Sequence, residues 1–245
     1  MKYLVSIFLL SIIFSACTQE PTAQEILTNA IQTHGGDKVY NSNVSFDFRD
    51  KHYKGEYNQG QYKLARYFSD TLNNTYEDVL TNQGFQRKIN DSIVHVTDEW
   101  IGKYSNSINS VFYFLRIPFN LKDEAVILTY LGKRVIDGTN YYKLKVTFSE
   151  EGGGEDFDDV FVYWFNAETY ILDYFAYEYA TDGGGKRFRK AFNQRDENGW
   201  LISDYINYKP KDINVDIADY DKYYTEDGFK KLSEIVNKNV EVSYN

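Results

Sequence analysis

The sequence holds one cysteine, three prolines and three histidines in 245 residues. Cys17 has no partner within the chain, so no internal disulfide staples the fold. No internal repeat, low-complexity tract or Pro/Gly/Ser-rich linker divides the chain, and it reads as one domain. His34, His52 and His95 stand at no metal-binding or catalytic spacing. There is no Gly-x-Ser-x-Gly elbow, phosphate loop or His-Glu-x-x-His helix. Nothing therefore singles out an enzyme, a metal or a cofactor. Positive charge is also scarce. With 27 basic against 36 acidic residues the net charge is −9, which argues against nucleic acid as a partner. Beyond residue 16 no apolar run reaches the roughly 20 residues that a membrane-spanning helix needs.

The N-terminus carries a targeting pattern. Met1-Lys2 is a short positive end, Tyr3 to Phe14 is almost wholly apolar, and Ser15 and Ala16 are small. That order is the layout of a secretory signal peptide over residues 1–16. Phe14-Ser15-Ala16-Cys17 resembles the lipobox of bacterial lipoproteins. The resemblance implies cleavage before Cys17, lipid attachment on its sulfur and a membrane anchor, with residues 17–22 as anchor and tether and 23–245 as the folded domain. Thr18 is not the aspartate that retains some lipoproteins at the inner membrane, which favours the outer membrane of the cell envelope.

Abundance lies elsewhere: 23 tyrosines and an aromatic share of 18% suit sheets and half-wet cavities. Thr22 and Glu25 form a capping-box pattern ahead of Ile26, Leu27, Ala30 and Ile31, a helical face that Gly35-Gly36 ends near His34. His34 reads as a helix cap. From Val44 the period changes to two, with Val44, Phe46 and Phe48 on one face, and a meander of hairpins continues to about residue 97. Ile101, Tyr104, Ile108, Val111 and Leu115 return to helical spacing over 98–115, and Pro118 stops that helix. Strands resume with Tyr142, Leu144, Val146 and Phe148. The segments 160–165 and 170–180 are apolar on both faces, so both faces require cover. The spacing of Phe229, Leu232, Ile235 and Val236 predicts a last helix over 226–236, ahead of a final strand at 240–244. The expected fold is mainly β with a few helices (α+β): one long, curved antiparallel sheet of roughly ten or eleven strands.

Three stretches carry a family resemblance. Ala23-Gln24-Glu25-Ile26-Leu27 through His34-Gly35-Gly36 opens on to a Phe-rich strand; Phe112-Tyr113-Phe114-Leu115-Arg116-Ile117-Pro118-Phe119-Asn120-Leu121 follows; then come Arg187-Phe188-Arg189, Trp200 and Asp204-Tyr205. Together they resemble LolA-like envelope lipoproteins. The resemblance implies an unclosed β-barrel lidded by helices around an apolar cavity, and binding of an apolar small molecule or lipid acyl chain. It also allows other envelope proteins as partners, while the anchor favours a stationary receptor over a shuttle.

Large apolar concavities are the usual ligand sites. The candidate lining is Trp100, Tyr104, Ile108, Phe112 and Leu115 on the middle helix, with Phe119 and Trp164; each is alternatively plain core. A carbohydrate-binding surface lipoprotein using exposed Tyr and Trp as stacking platforms is a second reading, and an unrecognised hydrolase a third. Glu150, Glu151, Glu155, Asp156, Asp158 and Asp159 around Gly152-Gly153-Gly154 read as a solvated hairpin tip, with calcium as the alternative. Asp212, Asp216, Asp219 and Asp221 share that ambiguity. Gly183-Gly184-Gly185 before Lys186, Arg187 and Arg189 lacks the following helix of a phosphate loop and reads as a hairpin.

Overall fold

The computed structural model describes residues 20–151, 157–180 and 183–245. The signal peptide, Cys17 and the centre of the acidic 150–159 tip lie outside them.

Helix α1 (Ala23–His34) begins on the expected capping box. The Thr22 backbone N–H donates to Glu25 at 2.8 Å, and the Glu25 backbone N–H donates back to the Thr22 hydroxyl at 3.2 Å. Ile26, Leu27, Ala30 and Ile31 are buried, the face read from spacing. Then β1 (Ser42–Phe48), β2 (Lys51–Asn58), β3 (Gln61–Ser69), β4 (Thr75–Thr81), β5 (Gly84–Ile89) and β6 (Ser92–Val94) run up and down as neighbours. Helix α2 (Asp98–Leu115) leads to a second meander of β7 (Val126–Ile136), β8 (Thr139–Phe148), β9 (Val160–Asn166), β10 (Leu172–Tyr179), β11 (Gly185–Glu197) and β12 (Trp200–Pro210). A short α3 (Tyr220–Thr225), β13 (Phe229–Ile235) and β14 (Asn237–Tyr244) finish the chain. Tight turns set the register. Gln59-Gly60, Asn90-Asp91, Asp137-Gly138 and Asn198-Gly199 each take positive φ at both positions, as two-residue hairpin loops between right-twisted strands require.

The result is two seven-stranded antiparallel ladders, β14-β1-β2-β3-β4-β5-β6 and β13-β12-β11-β10-β9-β8-β7. They part at Val236, where the chain leaves β13 for β14. The two remaining edges, β6 and β7, stay apart, and α2 is the connection between them. This is the unclosed barrel with a helical lid. The described residues hold fourteen strands, more than the ten or eleven expected from periodicity.

The helix expected over 226–236 is a correction. Phe229–Ile235 is a strand whose backbone pairs with β12, from Pro210 opposite Phe229 to Tyr205 opposite Ile235. Leu232, which a helical face would have buried, is 42% exposed. Pairing along the free edge of β12 outweighs local spacing here. The helix in this region is α3, six residues earlier in the chain. It explains why β9 and β10 are apolar on both faces. Phe161, Tyr163 and Phe165 join the main interior with α1 and α2, whereas Trp164, Tyr174 and Phe188 pack outward against Ile217, Tyr220 and Phe229.

Candidate functional site

Helix α2 turns about 100° per residue, so its side chains divide into stripes. Ile108, Phe112 and Leu115 are buried and face the sheets. A closer approach than usual is built in at Gly55 on β2. A Cβ there would lie 2.8 Å from the Phe112 ring, so the missing side chain is the space that the ring occupies. Phe112 then meets Phe46 and Tyr53 edge-on at 5.5 and 5.9 Å between ring centres. The two flanks of α2 each border a cavity. Asn109, Phe112, Tyr113 and Arg116 border one; Ser107, Ser110, Val111, Phe114 and Leu115 border the other.

The first cavity has a volume of about 850 Å3. Its apolar and aromatic walls are Tyr40, Tyr57, Leu64, Phe112, Phe119 and Phe148, drawn from β2, β3, α2, β8 and the segments after α1 and α2, and Gln61, Asn82, Asn109, Arg116, Asn120, Lys122 and Asp123 add amides and charges. The phenols stay neutral at ordinary pH: burial raises Tyr40 and Tyr113, and pushes Tyr57 up to about 12. The Arg116 guanidinium lies 3.8 Å over the Tyr57 ring. Two rim amides are already engaged with backbone. Asn82 donates to Gly60 O at 3.1 Å and accepts from Tyr62 N at 2.8 Å, and Asn120 donates to Tyr113 O at 2.8 Å.

The second cavity, of about 360 Å3, lies under the other flank between β1–β3 and β11–β14. It is lined by Arg49, Lys51, Arg66 and Arg189 with one acid, Asp50.

The sequence candidates scatter over this geometry. Phe112 and Phe119 line the larger cavity, and Leu115 lines the smaller. Ile108 is fully buried in the core between. Trp100 and Tyr104 border neither cavity. Trp100 is 47% exposed and stacks near Tyr104, whose ring lies 3.7 Å beneath the Arg87 guanidinium. Trp164 is a correction: it lies on the outward face of β9, beneath Lys143 at 5.7 Å, and alternation along the strand turns it away from both cavities. Tyr40, Tyr57, Leu64 and Phe148 went unselected, although the β2 period-two pattern Tyr53, Gly55, Tyr57 marked the inward face.

The histidines do not converge. His34 is buried, its Nδ1 donating to Ala30 O at 2.7 Å and its Nε2 accepting from Leu172 N at 3.3 Å; burial lowers its pKa to about 4. His52 pairs with Asp47 at 2.7 Å, and His95 is exposed. The second acidic cluster is dispersed. Asp216 accepts from Ala218 N, Asp212 from Asn214 N, and Asp221 pairs with the buried Lys143 at 2.9 Å. Among the described residues no group of three or more His, Cys, Asp or Glu is placed to hold a metal ion, and no helix is long and apolar enough to cross a membrane.

Comparison with known proteins gives a family and a set of similar folds. The model of DUF6503, a family of unknown function, matches residues 2–238. No curated protein matches the chain. Among solved structures, the chain is similar to a LolA superfamily protein from Nitrosomonas europaea, with TM-score 0.48, 12% identity and coverage of 91% of this chain and 92% of the other. A domain assigned to an outer membrane lipoprotein-sorting protein from Vibrio parahaemolyticus gives 0.49, 8% identity and coverage of 90% and 92%. A DUF1329 family protein from Desulfovibrio piger gives 0.43, 11% identity and coverage of 92% and 94%. These likenesses are of overall fold.

Proposed function

The chain belongs to DUF6503, a family of unknown function, and from its geometry we propose that it binds an apolar ligand, the acyl chain of a lipid, in the larger cavity. The observation that carries this reading is the cavity itself: about 850 Å3 inside the unclosed barrel, walled by Tyr40, Tyr57, Leu64, Phe112, Phe119 and Phe148. Ligand pockets for small molecules run to roughly 300–1,000 Å3 with mainly apolar walls and few polar groups. Burying an acyl chain against aromatic walls gains about 0.8 kcal/mol per methylene, which sets the favoured ligand as a long chain. Of the four amides that could read sugar hydroxyls, Gln61, Asn82, Asn109 and Asn120, two are committed, because Asn82 and Asn120 are bonded to backbone. That favours an acyl chain over a carbohydrate. With lipid on Cys17, the protein is a fixed receptor at the cell envelope, on the outer membrane, holding its ligand beside the bilayer.

The test is native mass spectrometry of the purified full chain, with organic extraction and lipid analysis. A stoichiometric acyl ligand is expected, and Asn109→Trp, which fills the cavity from the exposed rim of α2, should abolish it while leaving the fold intact. A ligand-free mass with no uptake of added oleate or phospholipid sinks the reading. Quenching of tryptophan fluorescence by oligosaccharides in the same preparation would put sugar binding in its place.

A further inference from the structure

Arg189 is 7% exposed and enters the interior from β11. Its guanidinium is sandwiched among rings, 3.9 Å over Phe114 of α2, 5.2 Å over Tyr177 and 5.4 Å over Phe175. Its hydrogen bonding is incomplete. Nη2 donates to the Tyr177 hydroxyl at 2.9 Å, and Nε is buried with no acceptor. No carboxylate of the described residues lies within ion-pair distance of it. An arginine keeps its charge in proteins, and a buried charge without a counter-ion is strongly unfavourable. Burial accordingly pulls its affinity for the proton down.

The surroundings are built to match. Arg189 lines the second cavity, whose other charged walls are Arg49, Lys51, Arg66 and Asp50. Asp50 is bonded to Lys51 at 2.9 Å, and Arg66 is bonded to Asp78 behind it. Ser107, Ser110 and Ser233 add hydroxyls to the wall, and Asn207 adds an amide. With Lys51 paired to Asp50 and Arg66 to Asp78, Arg49 and Arg189 carry the uncompensated positive charge of the wall, in a chain whose net charge is −9.

We propose that the second cavity is an anion-binding site, with Arg189 as the receptor for a carboxylate or phosphate group on a ligand. The buried, unpartnered Nε and the planar fork suit a bidentate oxyanion, whose charge-assisted hydrogen bonds replace the counter-ion the fold omits. Phe114, Phe48 and Leu115, which line the same cavity, give apolar contact to whatever the anion is attached to. This stands apart from acyl binding in the larger cavity, because the two sites lie on opposite flanks of α2.

The experiment is titration calorimetry of the full chain with inorganic phosphate, butyrate, laurate and dodecanol, repeated on Arg189→Met and Ser110→Glu. Arg189→Met keeps the stem and removes the charge. Ser110→Glu sets a carboxylate on the cavity wall one turn before Phe114 and occupies the site from within. Anion affinity is expected to fall about ten- to hundredfold in both variants. The ligand-free Tm of each should rise by about 2–4 °C, because Arg189→Met removes the uncompensated buried charge and Ser110→Glu gives it a counter-ion. Binding of phosphate or butyrate identifies a site for free anions. Binding of laurate alone, well ahead of dodecanol, identifies the headgroup of an amphiphile. Laurate and dodecanol binding equally, with no response to either variant, overturns the anion site and leaves the acyl reading standing. Phosphate or butyrate binding with no uptake of either long chain does the reverse. A fall in Tm for both variants, with anion affinities within about twofold of the parent, makes Arg189 a structural residue and overturns the proposal.

Discussion

Two groups of buried arginine lie beneath the same helix, one in each sheet. In the first, Arg66 of β3 and Arg87 of β5 close on Asp78 of β4, which is fully buried. Arg87 bonds it at 2.6 and 2.9 Å through two nitrogens, Arg66 through Nε at 3.1 Å, and Arg66 reaches on to the Ser107 hydroxyl of α2 at 2.9 Å. In the second sheet Arg189 has rings and one phenol for company, and no acid among the described residues. The first group is complete without a ligand and fixes the lid to the sheet. The second is complete only when something else brings the negative charge. Position under a lid does not decide whether a buried cation is scaffold or receptor; its partner does.

The comparison breaks most visibly at Asp78. Asp78→Asn leaves Arg66 and Arg87 charged and buried with no counter-ion, which costs about 3–5 kcal/mol. The urea unfolding midpoint should collapse accordingly, and in the same assay Arg189→Met should move the opposite way. Equal losses for the two substitutions would mean that both groups are scaffold.

A third buried base sharpens the contrast from another side. His34 is satisfied as the neutral ring, one nitrogen donating to Ala30 O and the other accepting from Leu172 N. Its pKa, lowered from 6.5 to about 4 by burial, means the unfolded chain takes up this proton before the folded one does. The stabilisation is therefore complete above pH 6.5 and is lost as the pH falls from there toward 4. The loss approaches ~3 kcal/mol on reaching about pH 4.5. His34→Gln, whose amide also carries a donor and an acceptor, should flatten that part of the stability profile. The difference between the two profiles isolates the histidine from the carboxylates that titrate in both. An unchanged slope would show that the folded ring takes up its proton no later than the unfolded one.

Sequence patterning revealed the elements whose one face is wet. The Thr22 capping box, the α2 spacing and the alternation of Val44, Phe46 and Phe48 all have a polar side against which an apolar period stands out. It failed where contrast vanished. In β9 and β10 both faces are apolar, so Phe161, Tyr163 and Phe165 cannot be told from Trp164 and Tyr174 by composition, and Trp164 reads as inward although it faces outward. The same blindness hid Arg189. Next to Phe188 it reads as a solvated residue of a basic hairpin, because nothing local says that Phe188 faces a second layer and Arg189 the interior. The misread helix at 226–236 has a related cause, since an edge strand takes its structure from β12 rather than from its own period. Cavity residues such as Tyr40 and Phe148 come together only through α2 and the order of strands.

Tyr104 offers the smallest effect and the cleanest separation of lid from site. Its ring lies against Arg87 at 3.7 Å and near Phe85 and Trp100, in the first half of α2, and it borders neither cavity. Tyr104→Leu keeps an apolar side chain and removes the π face, so it should cost about 1 kcal/mol of stability as a lost cation–π contact. Acyl uptake measured on the same preparation should be unchanged, because the first half of α2 holds the lid down and the second half borders the ligand. Loss of uptake would extend the site along the whole helix and bring Trp100 and Tyr104 back into it. A stability change without any change in uptake would instead confine ligand contact to the stretch from Ser107 to Arg116, where the two flanks of the helix face their separate cavities.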